Sequence, residues 1–184
     1  TREEKADALL LSTVQQCMAI IHRTLDEKGG HLRQFIVDDK GTVAIGTFGL
    51  KGSTGGDIAA SAIDASNSII VELNRIGVNA SIGVTSGTAY CGLVGSSDRH
   101  EYAVMGPAVN LSARLMGKAS LNSILCDAET RGKDTLHPFV VLGDVAAKGY
   151  SEPVSTFKPV VRTANMTHGA LSAYLHNMKS GQSM

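Results

Sequence analysis

Two long stretches of the chain carry apolar residues at helical spacing. The pattern over residues 3–28 predicts an amphipathic helix that ends at Gly29-Gly30, and the pattern over residues 57–76 predicts a second helix that Gly77 closes. The apolar positions that we expect the first helix to bury are Leu10, Val14, Cys17, Ile21 and Leu25.

Strand patterns fill most of the remaining chain. Residues 32–37 and 42–48 predict one hairpin, with an acidic turn between them, and residues 79–86 and 89–94 predict another around Gly87-Thr88. Shorter apolar runs predict further strands at residues 102–105, 123–126, 139–147 and 154–161.

The order of these elements favours an α/β (α+β) fold. Helices alternate with pairs of strands, as in a ferredoxin-like antiparallel sheet with helices packed on one face. Such a sheet needs a strand before its first helix, and residues 1–184 offer none there. We expect this N-terminal strand to be missing, either because the sheet is incomplete or because the strand lies upstream of Thr1. We expect one domain over residues 1–162 and a tail or linker over residues 163–184.

The stretch after the strand at 102–105 predicts a third helix. Gly106 stands just outside the helix, and Pro107 suits its first position. Asn110 and Arg114 follow one turn apart and therefore lie on the same helix face. A carboxamide and a guanidinium that project together are suited to holding a sugar and a phosphate. An ordinary solvated helix surface shows the same spacing, so spacing alone leaves both interpretations open.

Composition and charge exclude several classes of function. Lys+Arg and Asp+Glu are both 17, and the chain has four Phe, four Tyr and no Trp, so we expect no nucleic-acid-binding face. No run of 18 apolar residues and no signal peptide occur, so we expect no membrane segment. The three cysteines form no C-x-x-C motif, which favours buried thiols in a reducing compartment and a cytoplasmic location.

Several motifs in sequence order resemble one known family. G-G-H-L-R-Q-F, S-I-G-V-T-S-G, C-G-L-V-G, R-H-E-Y-A-V-M-G-P-A-V-N-L-S-A-R-L-M and V-A-A-K-G resemble the class III nucleotidyl cyclase catalytic domain, in particular the second catalytic domain of the soluble, bicarbonate-responsive adenylyl cyclases. The resemblance covers about residues 5–162. It implies that two such domains pair head to tail, as a heterodimer or homodimer, with ATP bound between them.

The resemblance assigns roles to particular residues. Asn110 and Arg114 match the family's asparagine and arginine that act on the ribose and the phosphates, and Lys148 matches a catalytic lysine by its place in A-K-G. Gln34 stands where adenylyl cyclases often carry a lysine that contacts adenine, and Ala103 where they carry Asp or Thr. Gln34 offers both a donor and an acceptor.

We expect backbone groups near Ala103 and Val104, with Gly106, to complete the substrate-binding residues. Overall likeness favours adenine, and guanine stays open, so a guanylate cyclase is one alternative function.

The resemblance also implies two Mg²⁺ or Mn²⁺ ions. The family's first metal-binding aspartate lies on the strand that we expect to be missing, and the second falls near Asp38. The D-D-K-G turn looks like that of second catalytic domains, which is not a metal site. We therefore expect no metal ligand in this chain, two ions held by the partner domain, and little or no activity alone. The other alternative is a non-catalytic, cyclase-like regulatory or dimerisation domain. Bicarbonate sensitivity is implied by the branch alone.

Overall fold

Helices and strands make up most of the part of the chain that the structure describes. The computed structural model covers residues 2–38, 41–50, 56–146, 150 and 152–161, with only the backbone of Arg2 and Asp38. The helices are α1 (Arg2–Glu27), α2 (Ile58–Arg75), α3 (Pro107–Lys118) and α4 (Ala128–Lys133). The strands are β1 (His31–Asp38), β2 (Gly41–Thr47), β3 (Ser81–Val84), β4 (Tyr90–Gly95), β5 (His100–Met105), β6 (Ser123–Asp127), β7 (Phe139–Val145) and β8 (Val154–Pro159).

The strands form three sheets. The central sheet has the order β3-β6-β8-β7, with β3 parallel to β6 and the other pairs antiparallel. β1 with β2 and β4 with β5 form separate antiparallel hairpins. The predicted α+β class is therefore confirmed, and most predicted elements agree with the observed ones to within a few residues. Among the described strands, β3 pairs with β6 alone.

The predicted hairpin of residues 79–86 with 89–94 is wrong. β3 pairs in parallel with β6, so that Ser81 lies opposite Ser123, whereas β4 pairs with β5. Alternation of apolar residues identifies the two faces of a strand and not its neighbour. β3 packs against helices on both sides and so belongs to the centre of the domain, whereas β4 is largely exposed.

Helices cover both faces of the central sheet. Leu125 of β6 packs with Leu111 and Leu115 of α3, whereas its neighbours Ile124 and Cys126 belong to the cluster that α2 covers. Successive side chains of a strand point to opposite faces, so α3 lies across the sheet from α2. The sequence predicts helices on one face only, and α3 is the exception. Because β6 is buried along its whole length, each of its faces needs a cover.

The first helix enters the core only in its second half. Cys17, Ile21 and Leu25 of α1 are buried, as predicted, and they pack with α2, the β1–β2 hairpin and β3. Leu10 is 64% exposed, so its predicted burial is wrong: the first turns of α1 lie beyond the core that the helix joins. Cys17 and Cys126 are buried thiols and Cys91 is half-buried, and all three are free. No helix among the described residues is long and apolar enough to cross a membrane.

Candidate functional site

Helix α3 begins where the sequence predicts it. Gly106 is the N-cap residue and makes no side-chain cap, and Pro107 occupies the first helical position. Because proline lacks an N–H, it loses nothing at a position where that group would have no helical partner. The amide of Asn110 donates to the carbonyl oxygen of Gly106 at 3.1 Å and closes the first turn.

The two polar residues of interest project from the outer face of α3. Leu111 and Leu115 occupy the inner face, where they are buried. Asn110 is exposed and Arg114 is half-buried, one turn apart on the other side. Neither side chain has a hydrogen bond or an ion pair with any described residue. Both side chains are therefore available to a ligand.

A glycine sets the distance between α3 and the central sheet. A Cβ added to Gly83 of β3 would overlap the carbonyl oxygen of Ser112 and would lie 2.6 Å from the amide nitrogen of Met116. Only glycine permits this approach, because the obstructing atoms are helix backbone and cannot turn aside. Gly83 thereby helps to fix where α3 presents Asn110 and Arg114.

Tyr150, which lies between β7 and β8 in the sequence, contacts the start of α3. Lys148 lies outside the described residues, but the hydroxyl of Tyr150 donates to the carbonyl oxygen of Pro107 at 3.2 Å. A cleft of about 620 Å³ lies beside this contact. Its lining is mainly apolar and includes Tyr90, Met105 and Val154, whereas Asn110 and Arg114 stand outside it.

The residues assigned to the base lie on two hairpins. Gln34 is exposed on β1, and Ala103 and Val104 are half-buried on β5. The structure makes β1 and β5 neighbours, and the guanidinium of Arg33 stacks over the ring of Tyr102, 4.7 Å from its centre. Sequence reasoning misses this pair, because nothing in the sequence links two residues that belong to different hairpins.

Among the described residues, no group of three or more His, Cys, Asp or Glu side chains is placed to hold a metal ion. The side chain of Asp38, and Asp39 as a whole, lie outside the described part of the chain. The origin of the metal ligands therefore stays a prediction.

Away from α3, a polar cluster joins α2 to the segment before β7. The ring of His137 lies between two carboxylates, with Nδ1 2.7 Å from Asp134 Oδ2 and Nε2 3.2 Å from Asp64 Oδ1. Asp57 accepts hydrogen bonds from Ala60, as the N-cap of α2, and from Thr135. Burial by itself raises the pKa of Asp57. The hydrogen bonds from Ala60 and Thr135, together with the nearby charge of His137, outweigh that effect, so the pKa falls below its ordinary value.

The fold is that of nucleotide-converting cyclase domains of known structure. The adenylyl cyclase CyaB from P. aeruginosa superimposes with a TM-score of 0.74 at 20% identity, over 87% of this chain and 86% of that one. The guanylate cyclase domain of RhGC from Catenaria anguillulae, solved with GTP, gives 0.71 at 19% identity, over 84% and 85%. At these identities the likeness concerns the fold alone.

Sequence comparison then shows the family. The profile of the adenylate and guanylate cyclase catalytic domain matches residues 39–158, and the chain belongs to this family. Adenylate cyclase type 10 from Oryctolagus cuniculus is 31% identical over 130 residues, 70% of this chain and 8% of that protein. Its counterpart from Rattus norvegicus is 29% identical over 156 residues, 83% and 10%. The chain thus spans a tenth or less of these relatives.

Proposed function

We propose that this chain is the substrate-orienting part of a nucleotidyl cyclase that converts ATP to 3′,5′-cyclic AMP and pyrophosphate. The observation that carries the proposal is the pair Asn110 and Arg114. Both lie on the outer face of a helix whose other face is packed, and neither side chain has a hydrogen bond or an ion pair with a described residue. These are the two positions at which the chain matches the family's asparagine and arginine.

The reaction explains why these residue types suit the site. The 3′-oxygen of the ribose forms a bond to the α-phosphorus. At the same time the bond breaks between the α-phosphorus and the oxygen that bridges it to the β-phosphate, and pyrophosphate leaves. The hydroxyl proton passes to solvent. Positioning and charge stabilisation dominate such a transfer. The carboxamide of Asn110 orients the ribose, and the guanidinium of Arg114 meets the charge that develops on the α-phosphate. Lys148 steadies the leaving phosphates.

The base is held by Gln34 and by the backbone around Ala103 and Val104, with Gly106 at the start of α3. The names of the relatives favour ATP, since both are adenylate cyclases. Ala103 brings no polar side chain, so the side chains of this subsite alone do not choose between adenine and guanine.

A second cyclase domain completes the site. The hairpin β4–β5 exposes large apolar side chains on both faces, among them Tyr90 (55% exposed) on one and Leu93 (64%) on the other. Two-stranded hairpins are marginal unless something packs on them, so a partner domain is the natural cover. The partner domain brings the ligands for Mg²⁺ or Mn²⁺, because the D-D-K-G turn of this chain resembles that of second catalytic domains, which is not a metal site. Three free cysteines fit a reducing compartment such as the cytoplasm.

The test is an assay for cyclic nucleotide. The chain is supplied with ATP or GTP and Mg²⁺ or Mn²⁺, alone and co-expressed with a cyclase domain that carries metal-binding aspartates. We expect cyclic AMP from the pair and little from the chain alone. Loss of product in Asn110→Ala and Arg114→Ala supports the proposal, whereas unchanged rates in both variants contradict it.

A non-catalytic regulatory domain is the second candidate, and the absence of a polar side chain at Ala103 favours it. It predicts that the chain pairs with the active domain and changes that domain's rate while Asn110→Ala and Arg114→Ala have no effect.

A further inference from the structure

The base subsite is divided between two hairpins that share no backbone ladder. Gln34 belongs to the β1–β2 sheet, whereas Ala103 and Val104 belong to the β4–β5 sheet. Among the described residues, no hydrogen bond or ion pair connects the two hairpins. Some other contact must keep the two halves of the subsite in register.

The stack of Arg33 on Tyr102 is such a contact. It joins β1 to β5 with the guanidinium carbon 4.7 Å from the ring centre. An arginine over a tyrosine ring at this distance is an attractive cation–π arrangement. The two residues flank the subsite directly, because Gln34 follows Arg33 and Ala103 follows Tyr102 in sequence.

The backbone of β1 is irregular at Arg33. Leu32 lies opposite Gly46 and Gln34 lies opposite Ile45, so Arg33 is the extra residue of a bulge and has no partner in β2. A bulge re-aims the side chain of the residue that it releases from the ladder. Here it releases Arg33, the residue of β1 that stacks on Tyr102 of β5.

Arg33 also has a buried hydrogen-bond donor that lacks a partner in the described part of the chain, which is unfavourable. The Nε atom of Arg33 is buried and has no hydrogen-bond partner among the described residues. Leaving a buried donor unpaired is unfavourable, so such a group in a native fold calls for an explanation. The stack on Tyr102 holds the guanidinium where Nε has no acceptor among the described residues.

We propose that Arg33 and Tyr102 are positioning residues of the base subsite: their stack ties β1 to β5 and sets the distance between Gln34 and the backbone of Ala103 and Val104. The inference rests on the proposed function. The stack lies on one face of β5 with Tyr102, whereas Ala103, the next residue, points to the opposite face. Arg33 therefore acts on the base through the spacing of the strands.

The experiment separates base binding from phosphate binding. In the co-expressed cyclase pair, the inhibition constants of adenosine and of inorganic pyrophosphate are measured against ATP for Arg33→Gln, Arg33→Lys, Tyr102→Leu and Tyr102→Phe. Arg131→Gln is the matched control, because Arg131 of α4 stacks on Phe157 of β8 at the same 4.7 Å and belongs to neither hairpin of this subsite. Melting temperatures verify that each variant folds.

We expect Arg33→Gln and Tyr102→Leu to raise the inhibition constant of adenosine about fivefold to tenfold. The inhibition constant of pyrophosphate should stay within about twofold of its value in the unaltered pair. Tyr102→Phe keeps the aromatic face, so its adenosine inhibition constant should stay close to that of the unaltered pair. The constant for Arg33→Lys should lie between those of the unaltered pair and Arg33→Gln. An equal loss for both ligands, or none in Arg33→Gln, overturns the inference while the cyclase function stands. If the unaltered pair makes neither cyclic AMP from ATP nor cyclic GMP from GTP, the proposed function itself fails, and the inference fails with it.

Discussion

Thr135 is bound to Asp57 through both its backbone amide and its hydroxyl, at 2.6 and 2.7 Å from the same carboxylate oxygen. The other oxygen of Asp57 accepts from the amide of Ala60 at 2.8 Å and caps α2. One carboxylate thus begins a helix and anchors the segment that leads into β7.

Asp57 makes stability depend on pH. Its pKa in the folded state lies below the ordinary value of 3.8, so the ionised carboxylate stabilises the fold above pH 3.8. That contribution is lost as the pH falls through the lower, folded-state value. Asp57→Asn can still cap α2 but carries no charge. We expect a flatter dependence of melting temperature on pH below about 4 in this variant. Equal slopes in both proteins would assign the acid sensitivity to other groups.

Gly83→Ala should push α3 off the central sheet. The added methyl group meets helix backbone, so we expect destabilisation of about 1–3 kcal/mol in urea unfolding. Gly117→Ala is the control, because a Cβ there meets nothing within 4 Å. In a helix that substitution should stabilise by about 0.5–1 kcal/mol. Similar losses in the two variants would mean that close packing at Gly83 is not the cause.

Arg114→Ala should reduce the rate of cyclisation by about 10²–10³. The side chain has no hydrogen bond or ion pair with a described residue, so we expect the melting temperature to change by little. The rate is measured in the co-expressed pair at saturating ATP. Arg75→Ala is a suitable comparison, because Arg75 is a surface residue of α2 whose side chain pairs with Glu72. A matching fall in rate and in stability would indicate a structural role for Arg114.

The three cysteines should react with a thiol reagent at different rates. Burial, with a smaller effect of the nearby Asp127 and Asp134 charges, raises the pKa of Cys126 far above its ordinary value, and burial also raises that of Cys17. Reaction needs the thiolate and access, so Cys91, which is half-buried, should be labelled first. Mass spectrometry of peptides after timed labelling gives the order. Early labelling of Cys126 would contradict the packing around β6.

Local patterns in the sequence predict the elements, because helix spacing, caps and turn residues act over a few positions. Asp57 and Gly106 mark the starts of α2 and α3 as predicted. The face of α3 that carries Asn110 and Arg114 also follows from spacing alone. Spacing does not predict that these two side chains are free of hydrogen bonds and ion pairs with other described residues, because that depends on which residues the folded chain places beside them.

Relationships between distant residues are what local patterns miss. The parallel partner of β3 lies some forty positions along the chain, and its choice depends on burial of both faces of β6. The stack of Arg33 on Tyr102 depends on a bulge in β1, and no residue type at this point of the sequence predicts that bulge. His137 is likewise held between carboxylates from α2 and from its own segment, and only the folded chain brings these together.

The exposed hairpin β4–β5 has a consequence for cooperativity. A two-stranded sheet with solvent on both faces opens at low free-energy cost, so its amides should exchange with solvent sooner than those of β6. A nucleotide that contacts Val104 must order this hairpin, and the conformational entropy lost in doing so weakens its binding. A second domain that covers Leu93 removes the same disorder in advance. Association of the domains and capture of the nucleotide are then linked through the rigidity of one hairpin, in addition to the contacts that both domains make with the nucleotide.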